Sequence, residues 1–331
     1  MDVIDNISPI DRKTFKEWGT FPNGDFLKKI CDSVLELIGD TPLVRLNKIG
    51  KGVAPEILAK VETGNPTCSI KDRIALYMIE EAEKQGMLLP GGTIVEPTTG
   101  NTGIALSLVA AAKGYKMIVV MPEFVSKERT LICEAFGAQV VRTPGEEGIE
   151  GVIRRAREIK EKEGAFMPNQ FSNAANPKAH RETTGREIME QTDGRLDVFV
   201  AAAGTGGTMS GVASLLKEKL SGVRIVVVEP ASSAVLSGGK PGYHRIEGIG
   251  EGFVPEVLDR SLYDEVVAVT DEDAMLMARR LAREEGILAG ISSGANVWAS
   301  LEIAKKMSGG RIVTLIPDCA LRYMSTDLFK C

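Results

Sequence analysis

The chain has 331 residues, 44% of them hydrophobic, which is enough for a sizeable core and for two domains. Its formal net charge of −5 argues against a protein built to bind nucleic acid or an anionic membrane surface. No apolar run approaches the roughly 18 residues of a membrane helix, and the acidic N-terminus lacks the apolar core of a secretory signal. We therefore expect a cytoplasmic enzyme or binding protein, with no membrane or nucleic-acid partner.

The cysteine and histidine content argues against several kinds of site. The five cysteines are odd in number and form no Cys-x-x-Cys pair, so neither a disulfide framework nor a cysteine-type zinc site is predicted. His180 and His244 are the only histidines, and no His-Glu-x-x-His motif occurs. We therefore expect no metal and no Ser-His-Asp hydrolase, and both histidines are interpreted as structural.

In chain order, an irregular region precedes a regular alternation of strands and helices. Proline and glycine interrupt the first 40 residues, which predicts an arm with a short helix near 26–37. The predicted strands are 94–96, 117–121, 139–141, 198–201, 225–228, 266–269 and 312–316. The predicted helices include 71–84, 127–136, 271–285 and 293–307, and one that follows the second glycine-rich turn and ends at about 220. The strands are continuous β-branched runs, which is typical of parallel sheets buried on both faces and predicts an α/β fold.

Two glycine-rich segments each follow a buried strand and precede a helix. Residues 98–103 read Thr-Thr-Gly-Asn-Thr-Gly, and residues 204–208 read Gly-Thr-Gly-Gly-Thr. Backbone N–H groups at a helix N-terminus favour an anion, so two such loops suggest two anionic groups, such as a phosphate and a carboxylate. Tight turns that need glycine for a positive φ are the alternative. Neither loop carries the lysine of a P-loop, and Met209 stands where a dinucleotide fingerprint needs glycine.

A lysine marks the start of the predicted helix at 71–84. Lys71 follows an Asn65-Pro66 turn, and the positive potential of a helix N-terminus favours the neutral, nucleophilic form of its amine. A solvated cluster of Lys71, Asp72 and Arg73 is the alternative interpretation.

These motifs together resemble the cysteine synthase (O-acetylserine sulfhydrylase) and cystathionine β-synthase family of fold-type II pyridoxal-phosphate enzymes. The resemblance covers about residues 35–331 through six ordered segments: 65–73, 96–103, 170–177, 204–208, 248–250 and 290–295. It implies a tryptophan-synthase-β-like fold of two three-layer α/β/α domains with mostly parallel sheets. It also implies an arm at 1–40, a smaller N-terminal domain at 65–175 that carries Lys71 and the substrate loop, and a larger cofactor-binding domain at 41–64 and 176–331.

The resemblance implies pyridoxal 5′-phosphate as the cofactor and gives roles to the loop residues. Lys71 matches the lysine that holds the cofactor as a Schiff base and acts as general base, and Ser292 matches the hydroxyl facing the pyridine nitrogen. The implied cofactor-binding residues are Lys71, Asn101, Gly204, Thr205, Gly206, Gly207, Thr208 and Ser292. The implied substrate-binding residues are Thr98, Thr99, Asn101, Thr102 and Gln170.

The implied reaction is β-replacement on an amino acid by a cytoplasmic homodimer. The leading interpretation is synthesis of L-cysteine from an activated serine (O-acetylserine or O-phosphoserine) and sulfide, through an aminoacrylate. Glu251 stands where the family usually has a small residue, on a loop expected to line the pocket. A carboxylate there would repel hydrosulfide and assist sulfide release from cysteine as a second catalytic residue, unless it faces solvent. A cystathionine β-synthase-like enzyme is a further alternative.

Two cysteines also depart from the family pattern. Cys68 lies three residues before Lys71, and Cys319 lies in the segment 317–323, which differs from the usual tail. Both are interpreted as packing residues and not as redox switches.

Overall fold

A computed structural model describes residues 30–329 of the chain. Most of the predicted arm, residues 1–29, lies outside the described residues, and so does the first part of the helix predicted at 26–37. The described end of that predicted helix contains a short 3₁₀ turn, Val34–Leu37, and the Ser33 side chain accepts a hydrogen bond from the Leu35 N–H at its start.

The larger sheet has six strands in the order β1-β2-β9-β6-β7-β8. Their bounds are β1 Leu43–Arg45, β2 Glu56–Val61, β6 Val198–Ala202, β7 Arg224–Pro230, β8 Glu265–Val269 and β9 Arg311–Ile316. Every neighbouring pair is parallel except β1 and β2, which are antiparallel. The smaller sheet is parallel throughout, in the order β3-β4-β5, with β3 Thr93–Pro97, β4 Lys116–Pro122 and β5 Gln139–Thr143.

Apolar side chains cover both faces of each sheet. Along β6, Val198 and Val200 pack into one buried cluster, whereas Phe199 and Ala201 pack into another on the opposite face. The smaller sheet repeats this arrangement, with Val119 on one face and Val120 on the other. Strands buried on both faces need no polar alternation, which explains the continuous apolar runs. The predicted class of two three-layer α/β/α units with mostly parallel sheets is confirmed.

The α-helices fill the outer layers. Their bounds are α1 Lys71–Lys84, α2 Asn101–Lys113, α3 Lys127–Ala135, α4 Gly148–Glu163, α5 Ala175–His180, α6 Arg186–Gln191, α7 Gly207–Lys219, α8 Asp271–Arg280 and α9 Ile291–Ala304. The helix predicted at 271–285 changes to a π-turn at Leu281–Glu285, and α9 begins two residues earlier than expected. The domain boundaries given above remain a prediction.

A buried ion network joins the start of α1 to β2. Arg73 Nε lies 2.8 Å from Glu62 Oε2, Arg73 Nη1 lies 2.5 Å from Glu187 Oε1, and Lys60 Nζ lies 2.6 Å from Glu187 Oε2. Asp72 and Arg73 are 0% and 1% exposed, so the solvated cluster considered as an alternative is wrong. The network fixes the helix that carries Lys71.

We expect Arg73→Met to lower the free energy of unfolding by about 3–5 kcal/mol, because it leaves the buried Glu62 carboxylate without its partner. Urea titration measures this change. Arg155→Met is the matched control, since the Arg155–Glu158 pair is about half exposed and its loss should cost less than about 1 kcal/mol. Equal effects of the two substitutions would contradict the anchoring role of Arg73.

Candidate active site

A cavity of about 660 Å³ opens where the carboxyl ends of strands from both sheets meet. Loops after parallel strands converge at this edge, which is the usual place for a ligand in an α/β fold. The cavity is lined by Lys71, Thr98, Thr99, Asn101, Thr102, Gln170, Gly204, Thr205, Gly206, Thr208, Glu251 and Ser292. All the predicted site residues except Gly207 therefore lie around one space.

Lys71 is the first residue of α1 and is partly buried. Burial lowers the pKa of its amine, and the negative charges of Asp318 and Glu251 oppose that shift. Among residues 30–329, Lys71 Nζ has no hydrogen-bond or ion-pair partner, whereas its backbone N–H donates to Ser69 Oγ at 3.2 Å. A desolvated amine without a partner is available as a nucleophile or a base.

The loop at 98–102 joins β3 to α2. Thr98 Oγ1 accepts the Gly100 N–H at 3.1 Å, and the first N–H groups of α2 cannot be used within the helix. Thr102 Oγ1 donates to Gln170 Oε1 at 2.6 Å, which joins the loop to the Gln170 side chain. The buried Glu96 carboxylate holds Gln170 in turn by accepting its backbone N–H at 3.0 Å. This arrangement can bind a carboxylate.

Glycine is required in the loop at 204–208 for steric reasons. A Cβ at Gly204 would lie 2.2 Å from the Gly248 carbonyl oxygen, and one at Gly207 would lie 1.8 Å from Asn176 Oδ1. Gly206 has φ +84°, in the left-handed region, directly before α7. Gly207 lies against the Asn176 side chain and does not line the cavity.

Two threonine hydroxyls of this loop are held by neighbouring side chains. Thr205 Oγ1 accepts a hydrogen bond from Asn176 Nδ2 at 3.0 Å. Thr208 Oγ1 lies 3.1 Å from His180 Nε2, and Thr184 Oγ1 lies 3.0 Å from the other ring nitrogen. Burial holds the pKa of His180 well below its usual value, so the ring is neutral. This agrees with the structural interpretation of His180 and leaves the loop suited to a phosphate.

Glu251 lies in the loop after Gly250 and lines the cavity. Burial raises the pKa of its carboxyl to about 7, and the charge of Lys71 opposes this rise. Glu251 and Lys71 thus line the same cavity. The sequence left this orientation open.

Sequence reasoning missed a polar network that includes Asn101 and Tyr323 of the cavity lining. Asp318 Oδ2 accepts hydrogen bonds from Asn101 Nδ2 and from the Tyr323 hydroxyl, both at 2.7 Å. The Arg129 guanidinium lies 4.8 Å from the centre of the Tyr323 ring and pairs with Glu247. Asp318 and Tyr323 follow the last buried strand, a position that could have indicated a site residue. Their spacing alone does not show which loop they contact.

The residues present fit pyridoxal 5′-phosphate. The loop at 204–208 offers backbone N–H groups and two hydroxyls to a phosphate, and the Ser292 hydroxyl on α9 offers an uncharged partner to a ring nitrogen. Within the described chain, the buried Asn101 Oδ1 has no hydrogen-bond partner, which leaves an amide group facing the cavity. No cluster of side chains suited to a metal ion was found in the described region.

A free lysine amine between two anion-binding loops on an α/β frame defines an enzyme of the pyridoxal-phosphate class. The family model described as "Pyridoxal-phosphate dependent enzyme" matches residues 34–318, and the chain belongs to this family. The cysteine synthase of Staphylococcus aureus strain Mu50 is 49% identical over 305 residues, covering 92% of this chain and 98% of that protein.

Two solved structures are similar to this chain over most of its length. The cysteine synthase of Entamoeba histolytica has a TM-score of 0.89 and 44% identity, covering 92% of each chain. A hydrogen sulfide-producing enzyme of Fusobacterium nucleatum has a TM-score of 0.87 and 45% identity, covering 89% of this chain and 100% of that one. In residues 30–329, no helix is both long and apolar enough to cross a bilayer.

Proposed function

We propose that the chain is a cysteine synthase that makes L-cysteine from an activated serine and sulfide. The supporting observation is the Lys71 amine, with its lowered pKa, in one cavity with the loops at 98–102 and 204–208. The cysteine synthase relative at 49% identity supports the same reaction. We place the reaction in the cytoplasm and expect a homodimer, which sedimentation of the purified protein would test.

Bound pyridoxal 5′-phosphate supplies an electron sink for negative charge at the substrate Cα. In this proposal Lys71 Nζ holds the cofactor, then removes the α-proton and later returns it. The lowered pKa suits this role because more of the amine is neutral near neutral pH than at an exposed lysine. Ser292 would offer a neutral hydroxyl to the ring nitrogen, which would limit the electron sink and favour β-elimination over transamination.

In this proposal the two loops bind different anionic groups. Thr205 and Thr208 hold the cofactor phosphate, whereas the N-terminal N–H groups of α2 and Gln170 hold the substrate carboxylate. Asn101 would hydrogen-bond the ring hydroxyl of the cofactor, and its hydrogen bond to Asp318 orients its amide. The whole site is thus built on the carboxyl edges of two rigid sheets.

The substitutions Thr208→Val and Asn101→Ala test which loop binds the cofactor and which binds the substrate. We expect Thr208→Val to weaken cofactor binding about tenfold to a hundredfold, because a hydrogen bond to a charged group contributes about 1.5–3 kcal/mol. We expect Asn101→Ala to keep the cofactor but to reduce the absorbance change caused by adding substrate. Equilibrium dialysis and absorbance titration measure the two effects, and each variant is the control for the other. The opposite pattern would mean that the roles of the loops are exchanged.

A second candidate reaction, sulfide release from cysteine, is favoured by Glu251. Its carboxyl lines the cavity, and its pKa of about 7 allows it to give or take a proton near neutral pH. It would protonate the departing sulfur, or activate the water that replaces it. The products are then serine and hydrogen sulfide or, where water does not add, pyruvate, ammonia and hydrogen sulfide. The Fusobacterium nucleatum relative is described as a hydrogen sulfide-producing enzyme, which supports this second candidate.

Product analysis with separate substrates tests the proposed function. The holoenzyme is incubated with O-acetylserine plus sulfide, O-phosphoserine plus sulfide, and serine plus homocysteine. We expect cysteine from at least one activated serine and little cystathionine from the third mixture. Cystathionine as the main product would identify a cystathionine β-synthase-like enzyme instead.

A further inference from the structure

Cys68 and Cys319 face each other on a short ladder beside Lys71. Ser69 and Asp318 form an antiparallel bridge. The Ile70 N–H donates to the Pro317 carbonyl at 2.8 Å, and the Cys319 N–H donates to the Cys68 carbonyl at 3.2 Å. This register places Cys68 directly opposite Cys319, one pair away from the Ser69–Asp318 bridge.

One backbone hydrogen bond brings the two cysteines next to each other. The Cys319 N–H donates to the Cys68 carbonyl, whereas Cys68 has φ +55° and its own N–H donates to the Asn65 carbonyl at 2.7 Å, so the pair lies at the end of the ladder. Backbones joined by such a bond lie roughly 5 Å apart. A disulfide needs Cα atoms about 4.4–6.8 Å apart. Burial raises the pKa of the Cys68 thiol, and the neighbouring Cys319 thiol adds to this rise.

Both thiols are free and partly exposed, whereas Cys133 is fully buried. A small reagent can therefore reach the pair. The Arg322 guanidinium donates to the Cys68 carbonyl at 3.2 Å, and its positive charge favours the Cys68 thiolate, opposing the effect of burial. A reachable thiol, a second thiol opposite it and a nearby cation make a site for thiol–disulfide exchange.

We propose that Cys68 and Cys319 form a reversible disulfide by exchange with a small-molecule disulfide. The Cys68 thiolate attacks one sulfur of the reagent, breaks its S–S bond and releases one thiolate. The Cys319 thiolate then attacks the Cys68 sulfur of the mixed disulfide and releases the second thiolate. The protein loses two protons and two electrons, and the reagent is reduced to two thiols. This assigns a modification to two residues that the sequence had suggested serve only in packing.

The cross-link ties the turn before Lys71 to the segment after β9. In the reduced protein, two backbone hydrogen bonds hold these segments together on this ladder. Joining residues so far apart in the chain restricts the unfolded state, which raises stability. Because the two cysteines are already neighbours, we expect Lys71 to keep its position. Turnover should then stay within about threefold of the reduced enzyme, well below the roughly hundredfold cost of misplacing a catalytic group by 1 Å.

The holoenzyme incubated with glutathione disulfide tests the proposal. After alkylation and digestion, we expect one linked peptide pair containing Cys68 and Cys319, which dithiothreitol separates. The melting temperature should rise by roughly 5 °C and return on reduction. Protein in which both thiols remain alkylatable after prolonged incubation would overturn the proposal, as would a linked protein with an unchanged or lower melting temperature.

Three serine variants complete the experiment. Cys68→Ser and Cys319→Ser should each lose the linked peptide pair and the rise in melting temperature, leaving at most glutathione on the remaining cysteine. Cys31→Ser, which removes a free cysteine outside the pair, should behave as the wild type does. A linked pair that persists without Cys68 or Cys319 would overturn the assignment. These readouts are independent of which amino-acid reaction the enzyme performs.

Discussion

Lys71→Ala is expected to lower turnover by about 10⁴-fold, the upper end of the range for losing one general base, since Lys71 would also hold the cofactor. Steady-state rates of cysteine formation measure this loss. Borohydride treatment of the wild type should fix the cofactor on the peptide that contains Lys71, and the variant should show no such attachment.

Lys84→Ala is the matched control, because Lys84 is the exposed last residue of the same helix. It should retain wild-type turnover and cofactor attachment. A Lys71→Ala variant with full activity, or a wild type that is active without bound cofactor, would contradict the assignment of Lys71.

Glu251→Ala is expected to lower sulfide release from cysteine by about 10²–10⁴-fold and to lower cysteine synthesis far less. The reason is that Glu251 lies in the cavity and its carboxyl has a pKa of about 7, which suits proton transfer to a departing sulfur. Methylene blue measures the sulfide, and amino-acid analysis measures the cysteine. The wild type should also lose sulfide release as the pH rises above about 7, where Glu251 loses its proton.

Glu256→Ala is the control for Glu251, since Glu256 is exposed in the same segment. It should leave both reactions unchanged. Equal and small effects of Glu251→Ala on the two reactions would make the chain an ordinary cysteine synthase in which Glu251 takes no part.

A stability measurement tests the burial of Glu251 apart from catalysis. Burial raises the pKa of its carboxyl from 4.5 to about 7, so the folded protein binds the proton more tightly than the unfolded chain. The free energy of unfolding therefore falls as the pH rises from 4.5 to about 7. Glu251→Gln should remove this contribution to the pH dependence of the free energy of unfolding. If the free energy of unfolding of Glu251→Gln depends on pH as that of the wild type does, the Glu251 carboxyl faces solvent.

The parts of the structure that are local in sequence were predictable. The loops at 98–103 and 204–208 follow apolar strands and start helices, so their position at a sheet edge follows from chain order alone. Lys71 at the start of α1 was predicted because the Asn65-Pro66 turn marks that start.

The parts that depend on distant contacts were not predictable. Strand β2 was missed because Lys60 interrupts its apolar run. This buried charge is tolerated because Glu187 lies 2.6 Å away and because the Thr41 carbonyl and the Gln191 side chain also accept hydrogen bonds from Lys60 Nζ. Likewise, Asp318 gained a role through its hydrogen bond to Asn101, 217 positions earlier in the chain. No local pattern encodes such a pairing, and the direction of the Glu251 side chain was open for the same reason.

The most direct test of the proposed function compares two reactions in one preparation of the holoenzyme. It measures kcat/KM for cysteine formation from O-acetylserine plus sulfide, and kcat/KM for sulfide release from cysteine alone. We expect cysteine formation to have the larger value. A larger value for sulfide release, with little cysteine formed from O-acetylserine, would contradict the assignment as a cysteine synthase and identify a sulfide-releasing enzyme.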